Sequence, residues 1–169
     1  MSESLAQVAS YLGGLTVYLR NLGAEVPEPS LEHYDTGEIG FAITAELPGS
    51  DDPRPAVITA QEIWHTAASG RYERAEYGYD LIDYPANRGR AFHMHDVPAY
   101  VARLGVTAHE HCEEVLGKPT CDHYLGLPVY SGYEGLDALL ACWSDPGPLG
   151  CARLRRARRP TARTRSQSL

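Results

Sequence analysis

Histidines and cysteines concentrate in one part of the sequence. Five of the seven histidines and two of the four cysteines fall between positions 93 and 123. An imidazole gains and loses a proton near neutral pH, and neutral imidazole and cysteine thiolate are the ligands that zinc prefers. The segment can therefore supply either a metal site or an acid–base pair. The residues are His93, His95, His109, His111, Cys112, Cys121 and His123.

The spacing of two within each histidine pair has a structural meaning. Side chains two residues apart on a β-strand point to the same face of a sheet. We therefore expect His93 and His95 to share one face while Phe92 turns to the core. The same alternation applies to His109 and His111. If the two strands pair, four imidazoles lie together on one sheet face.

One interpretation of this pattern is a zinc site, so that the cofactor is either zinc or none. His93 and His95 would supply two ligands, and a site needs three or four. The sequence has neither a His-x-x-x-His spacing with a catalytic glutamate nor a zinc-finger spacing. A His-x-His pair also suits a partly exposed strand that binds no metal. The further ligands would come from His109, His111, Cys112, Cys121 and His123.

A second interpretation is acid–base catalysis without a metal. One histidine can take the proton of an RNA 2′-hydroxyl while another protonates the leaving oxygen. A cation must stabilise the charge on the phosphate, and we predict Arg90 for this role, with Arg88 beside it. Tyr77, Tyr79 and Tyr124 are candidates for stacking on bases. The predicted catalytic set is His93, His95, His109, His111 and Arg90.

Acidic side chains close to the histidines oppose this second interpretation, because they would repel a phosphate unless they face elsewhere. These residues are Asp80, Asp83, Asp96, Glu110, Glu113 and Glu114.

The rest of the chain predicts the elements that position these residues. Apolar residues at spacings of three and four predict an amphipathic helix over 4–22, ended by Gly23. A second helix is predicted over 133–143. The expected fold is α+β, with an antiparallel meander of about five strands, an N-terminal helix and a C-terminal helix. Alternating apolar residues predict the strands at 40–47, 56–66, 72–84, 91–95 and 106–112.

Length and charge divide the chain into one domain and a tail. The 169 residues suit a single domain, which we place at 1–150. Residues 151–169 carry seven of the 15 basic residues and none of the 22 acidic ones, and we expect this tail to be disordered. The acidic body does not attract nucleic acid through its overall field, so an RNA partner would need the tail or a local basic patch.

The sequence also carries expectations about the compartment. It has no run of about 18 apolar residues that would span a membrane, and its N-terminus does not read as a secretory signal. None of the four cysteines forms a Cys-x-x-Cys pair, so we expect reduced thiols. We therefore expect a cytoplasmic protein with no membrane partner.

Three segments resemble small bacterial α+β proteins of the TumE-like toxin type. They are Tyr77-Gly78-Tyr79-Asp80, Arg90-Ala91-Phe92-His93-Met94-His95-Asp96 and His109-Glu110-His111, within about residues 38–143. Those proteins are similar in having an aromatic strand, a short histidine-containing strand and a C-terminal helix. The resemblance implies a toxin–antitoxin component that acts as a ribonuclease, with a cognate antitoxin as its partner. It carries over to His93, His95, His109 and His111.

Three functional hypotheses follow from the sequence. The first is a toxin-like protein that acts on RNA through its histidines. The second is a zinc-binding protein with a histidine and cysteine site. The third is a non-catalytic interaction module, in which the histidines have no role.

Overall fold

The fold is a six-stranded antiparallel sheet with helices on one face. The computed structural model describes residues 3–49, 53–95, 97–118 and 129–144. The strands follow one another across the sheet in sequence order, as a meander. The elements are α1 (Glu3–Asn21), β1 (Leu31–His33), β2 (Ile39–Glu46), β3 (Val57–Thr66), β4 (Tyr72–Asp83), β5 (Arg88–Met94), α2 (Pro98–Leu104), β6 (Ala108–Glu113) and α3 (Gly132–Ser144).

The core lies between the sheet and the two long helices. α1 contacts β2 and β4, while α3 contacts β3, β4 and β5. Leu15 and Leu19 of α1 are fully buried, and so are Leu136 and Leu139 of α3. Their spacings of three and four place them on one side of each helix. The sheet therefore has a covered face, which meets α1 and α3, and an opposite face.

The α+β fold predicted from the sequence is confirmed. Both predicted long helices and all five predicted strands are present, with bounds within three residues of the expected ones. Gly23 ends the first helix region with a φ of +83°, a left-handed conformation that favours glycine.

Two short elements were not predicted. β1 has only three residues, which is too short for an alternation to be read. α2 has seven, although its start and stop signals are present in the sequence. Pro98 stands at the first turn, and Gly105 adopts a φ of +72° after the last turn. The proposed tail at 151–169 lies outside the described residues.

A β-bulge in β4 redirects a charged side chain. Ile63 pairs with Glu76, but Trp64 pairs with Arg74, so Ala75 has no partner in the register. An extra residue reverses the alternation of the residues before it. Arg74 consequently lies on the covered face, with its guanidinium 4.7 Å from the centre of the Tyr77 ring.

Among the described residues, no helix combines the length and the apolar character needed to cross a membrane.

The close approach of α3 to the sheet gives a test of this packing. A Cβ atom on Gly135 would lie 2.2 Å from Cδ2 of the buried Tyr79 ring, whereas a Cβ atom on Gly13 in α1 meets nothing within 4 Å. We expect Gly135→Ala to lower the free energy of unfolding by about 1–3 kcal/mol, because overpacking displaces the helix. We expect Gly13→Ala to raise it by about 0.5–1 kcal/mol, because alanine favours the helix. Urea denaturation of both variants measures the difference, and equal effects would contradict the packing.

Candidate functional site

The register of β4, β5 and β6 aligns the histidines on the face opposite α1 and α3. His93 pairs with Gly78 on one side and with His109 on the other. In the next row, Ala91 pairs with Asp80 and with His111. Directly paired residues of an antiparallel sheet lie on the same face. The two His-x-His strands are neighbours, which the sequence left open, and the expectation that the histidines of each strand share one face is confirmed.

Four imidazoles lie close together in this cluster. The Nε2 atoms of His109 and His111 are 3.0 Å apart. The ring centres of His93 and His111 are 4.8 Å apart, and those of His95 and His109 are 4.9 Å apart. A hydrogen bond between two imidazoles requires one ring to have a bare nitrogen. In the His109–His111 contact, one Nε2 atom therefore uses its lone pair to accept the hydrogen bond. A metal would bind through that same lone pair.

Three of these histidines have the geometry of a metal-ligand set. One ligand nitrogen from each of His93, His109 and His111 lies within 4.8 Å of the other two. In a tetrahedral zinc site with bonds of about 2.0–2.1 Å, two ligand nitrogens are about 3.3 Å apart. His95 contacts His109 but does not belong to this set of three.

Asp80 completes the surroundings of His93. Its Oδ1 atom lies 3.0 Å from Nε2 of His93, and both side chains are partly exposed. A carboxylate in this position can hold an imidazole in one orientation for a metal, or it can itself bind the metal. Gly78 stands beside it, and a Cβ atom there would be 3.5 Å from Cδ2 of His93. The row therefore leaves room for the imidazole.

The histidine set has a buried side and an accessible side. His109 is only 3% exposed, while His93 and His111 are partly buried. His93 and His111 line a cavity of about 450 Å³ that extends along β4 and β5. A group bound between the three rings would be enclosed on the His109 side and reachable from the cavity.

Arg90 does not join the histidines. Its side chain is 8% exposed and forms an ion pair with Glu110, whose side chain is fully buried on the covered face. The prediction that Arg90 stabilises a phosphate beside the histidines therefore conflicts with its position, since the sheet separates the two. Burial raises the pKa of Glu110 to about 7, against the opposing charge of Arg90.

Cys112 is also on the wrong face for the proposed ligand set. It pairs with Arg90, is 4% exposed and has its Sγ atom 3.4 Å from Oε1 of Glu110. Its position on the covered face conflicts with the prediction that its thiolate joins the histidines as a metal ligand. Cys142 is a free cysteine. Cys121, His123, Asp96 and Tyr124 lie outside the described residues.

Two of the three tyrosines predicted to stack on bases, Tyr77 and Tyr79, belong to the core. Tyr77 is 4% exposed and Tyr79 is fully buried, and their rings stack on each other with centres 4.7 Å apart. The prediction that they contact bases is therefore wrong. The acidic residues divide between the two faces. Asp80 and Glu113 line the cavity beside the histidines, whereas Asp83 and Glu110 are buried elsewhere.

A second cluster of titratable side chains lies on the covered face, around Glu62. Its Oε1 atom accepts hydrogen bonds from the hydroxyls of Tyr79 at 2.5 Å and Tyr11 at 2.9 Å. Arg74 donates to the same oxygen at 3.2 Å. Glu62 is 1% exposed, so this cluster is not accessible to a substrate. It joins α1 to the sheet rather than forming a reaction site.

Sequence reasoning did not identify Asp80 as part of the site. It appeared there as a source of repulsion and as part of a segment that carries the family resemblance, without a role at the site. The signal that could have found it is the alternation in Tyr77-Gly78-Tyr79-Asp80, which puts Asp80 on the face opposite the tyrosines. What the sequence did not supply is the register between β4 and β5.

Comparisons with protein-family models, with curated proteins and with solved structures give no match.

The buried carboxyl of Glu62 predicts a pH dependence of stability. Burial raises the pKa of Glu62 above its usual value of 4.5, although hydrogen bonds from Tyr79 and the charge of Arg74 oppose the shift. A carboxyl with a raised folded-state pKa contributes stability below the unfolded-state pKa, and this contribution is lost as the pH rises through the folded-state pKa. We expect the unfolding free energy of the wild type, relative to Glu62→Gln, to fall as the pH rises above 4.5.

Urea denaturation between pH 4 and pH 8 measures this difference. Glu73→Gln is the matched control, because Glu73 is an exposed glutamate on the neighbouring strand. A difference between wild type and Glu62→Gln that does not change with pH would contradict the assignment.

Proposed function

We propose that this protein binds a transition-metal ion, with zinc as the preferred ion, through His93, His109 and His111. The observation that carries the proposal is the convergence of three ligand nitrogens to within 4.8 Å on two paired strands. Imidazole nitrogen suits zinc, copper and nickel better than it suits magnesium or calcium. Zinc sites that also bind a water or a substrate have three protein ligands and an open fourth coordination position, and three histidines would provide this arrangement.

The surroundings of the three histidines favour metal binding over a chance grouping of side chains. Neutral imidazoles carry no charge, and Asp80 and Glu113 add negative charge beside them. A divalent cation is attracted to this arrangement. The side chains are also held in place, because the strands are paired on both sides of His93 and because Asp80 contacts its ring.

The first test is the amount of metal that the protein binds. We expect about one zinc per chain after equilibrium dialysis, and a higher melting temperature with zinc than with chelator. Binding to the folded state alone adds about 2.7 kcal/mol when free metal exceeds Kd by a factor of about 100. We expect His93→Ala, His109→Ala and His111→Ala each to raise the zinc Kd at least about tenfold, because each removes a ligand.

Two other histidines provide the matched controls. His33 and His65 are exposed and lie on β1 and β3, away from the cluster. We expect His33→Ala and His65→Ala to bind zinc as the wild type does. Zinc binding that is unchanged in all three cluster variants, or a melting curve that is unchanged by zinc, would overturn the proposal.

The toxin-like ribonuclease remains a prediction from the sequence. Asp80 and Glu113 lie at the site, and their charges disfavour a phosphate there unless a bound cation offsets them. Arg90 is the one cationic residue among the described residues that line the cavity, and its side chain is paired with Glu110 on the other face. These observations favour metal binding over metal-free RNA cleavage as the first function to test.

Expression in bacteria tests the ribonuclease directly. If the histidines cleave RNA by proton transfer, we expect growth arrest that His93→Ala or His111→Ala relieves. Replacing one member of an acid–base pair typically costs about 10²–10⁴-fold in rate. Growth would be compared with that of cells expressing His33→Ala at the same level. Absence of growth arrest, or arrest that persists in both cluster variants, would count against the RNA hypothesis and would leave metal binding unaffected.

A further inference from the structure

The cavity beside His93 and His111 is a product of small residues on β5. Gly89 and Ala91 alternate with His93 along the face that carries the histidines. Ala91 stands between Asp80 and His111 in its row, where a larger side chain would extend over the sheet. The space that results measures about 450 Å³, which is in the range of small-molecule sites.

The walls of this cavity are largely apolar. Ile82 and Tyr84 line one side, and Leu116 lines another. A Cβ atom on Gly89 would lie 3.3 Å from Cδ2 of Leu116, so the leucine already reaches over the glycine. Apolar walls around a polar end are the usual composition of a pocket for a small organic ligand.

The charges around the cavity are negative near the histidines. Asp80 lies next to His93, and Glu113 occupies the row beyond His111, where Oε2 accepts a hydrogen bond from the backbone N–H of Gly117 at 2.8 Å. A positive charge, the guanidinium of Arg54, lies over the ring of Tyr84. Tyr84 comes just after the end of β4, four residues after Asp80. An anionic ligand would meet two carboxylates before it reached the metal, whereas an uncharged ligand would not.

The position of the cavity relative to the three histidines determines from which side a ligand can reach a bound metal. His93 and His111 line the cavity, and His109 is buried on the other side of the cluster. A metal held by three imidazoles in tetrahedral geometry has one further position. That position would therefore be reached from the cavity side.

From these observations, and resting on the proposed function, we infer that the cavity binds a small uncharged organic molecule. Its apolar body would lie against Ile82, Ala91 and Leu116. One nitrogen or carbonyl oxygen of the molecule would fill the open position of the metal. Azoles and amides have this chemistry.

The experiment uses the full chain loaded with Co²⁺, because the visible absorption of Co²⁺ reports its ligands. Benzimidazole is the probe, since it is uncharged near pH 8 and has one metal-binding nitrogen on an apolar body. We expect a saturable change in the Co²⁺ spectrum with benzimidazole. We expect inorganic phosphate to produce no saturable change at equal concentration, because Asp80 and Glu113 repel it.

Variants at the cavity separate binding in the cavity from binding to any exposed metal. We expect Ala91→Leu to raise the benzimidazole Kd at least about tenfold, corresponding to about 1.4 kcal/mol, because leucine fills the space. The matched control is Ala42→Leu, since Ala42 is on the same sheet face but on β2, outside the cavity. If Ala91→Leu does not fold, Leu116→Ala serves instead and should weaken benzimidazole binding by removing an apolar wall.

The outcomes distinguish this inference from the proposed function. If Co²⁺ binds and benzimidazole binding is weakened in Ala91→Leu or Leu116→Ala but not in Ala42→Leu, the inference is supported. If Co²⁺ binds but benzimidazole has no saturable effect, or binds the variants and the wild type equally, the inference is overturned and the metal site stands. If phosphate binds as well as benzimidazole, the assignment to an uncharged ligand is overturned. If Co²⁺ does not bind, the proposed function fails, and the inference fails with it.

Discussion

The alignment of β4, β5 and β6 is the constraint on which the site depends. Side chains alternate between the faces of a strand, so a slip of one residue in the β5–β6 pairing would send His109 and His111 to the covered face. The register is fixed by the apolar residues of the same strands, which pack on the covered face. Phe92 lies between Ala91 and His93 in sequence and is 2% exposed in the core. The core that stabilises the sheet therefore also determines which histidines lie next to one another on the opposite face.

A buried group of polar side chains fixes the opposite face. Glu62 takes hydrogen bonds from Tyr11 of α1 and Tyr79 of β4, and the backbone N–H of Gly132 at the start of α3 donates to the hydroxyl of Tyr11 at 2.9 Å. The carboxylate thus joins α1 and β4 directly, and α3 through Tyr11. These bonds converge on Oε1 of Glu62, while its Oε2 atom is buried with no hydrogen-bond partner among the described residues. Hydrogen bonds between elements that are distant in sequence fix how those elements pack. The β-bulge in β4 is needed for this, because it turns Arg74 toward Glu62.

Much of this arrangement could be predicted from the sequence, and the exceptions have physical causes. Alternation of two indicated the strands and the shared face of His109 and His111, because local geometry alone determines both. The predicted place of Arg90 beside the histidines was wrong because Arg90 and His93 are three residues apart on one strand. Residues an odd number apart on a strand lie on opposite faces. The environment of Asp80 depends on pairing between strands, which no local pattern encodes.

The place of β6 has a consequence for how a bound metal would leave. β6 is the last strand of the described sheet, and it carries two of the three proposed ligands while β5 carries the third. Terminal strands open locally at a lower free energy than the interior of a sheet. Detachment of β6 would separate His109 and His111 from His93 while the core around Tyr79 stayed intact. The lifetime of the metal on the protein would then follow the opening of one strand, rather than the unfolding of the whole domain.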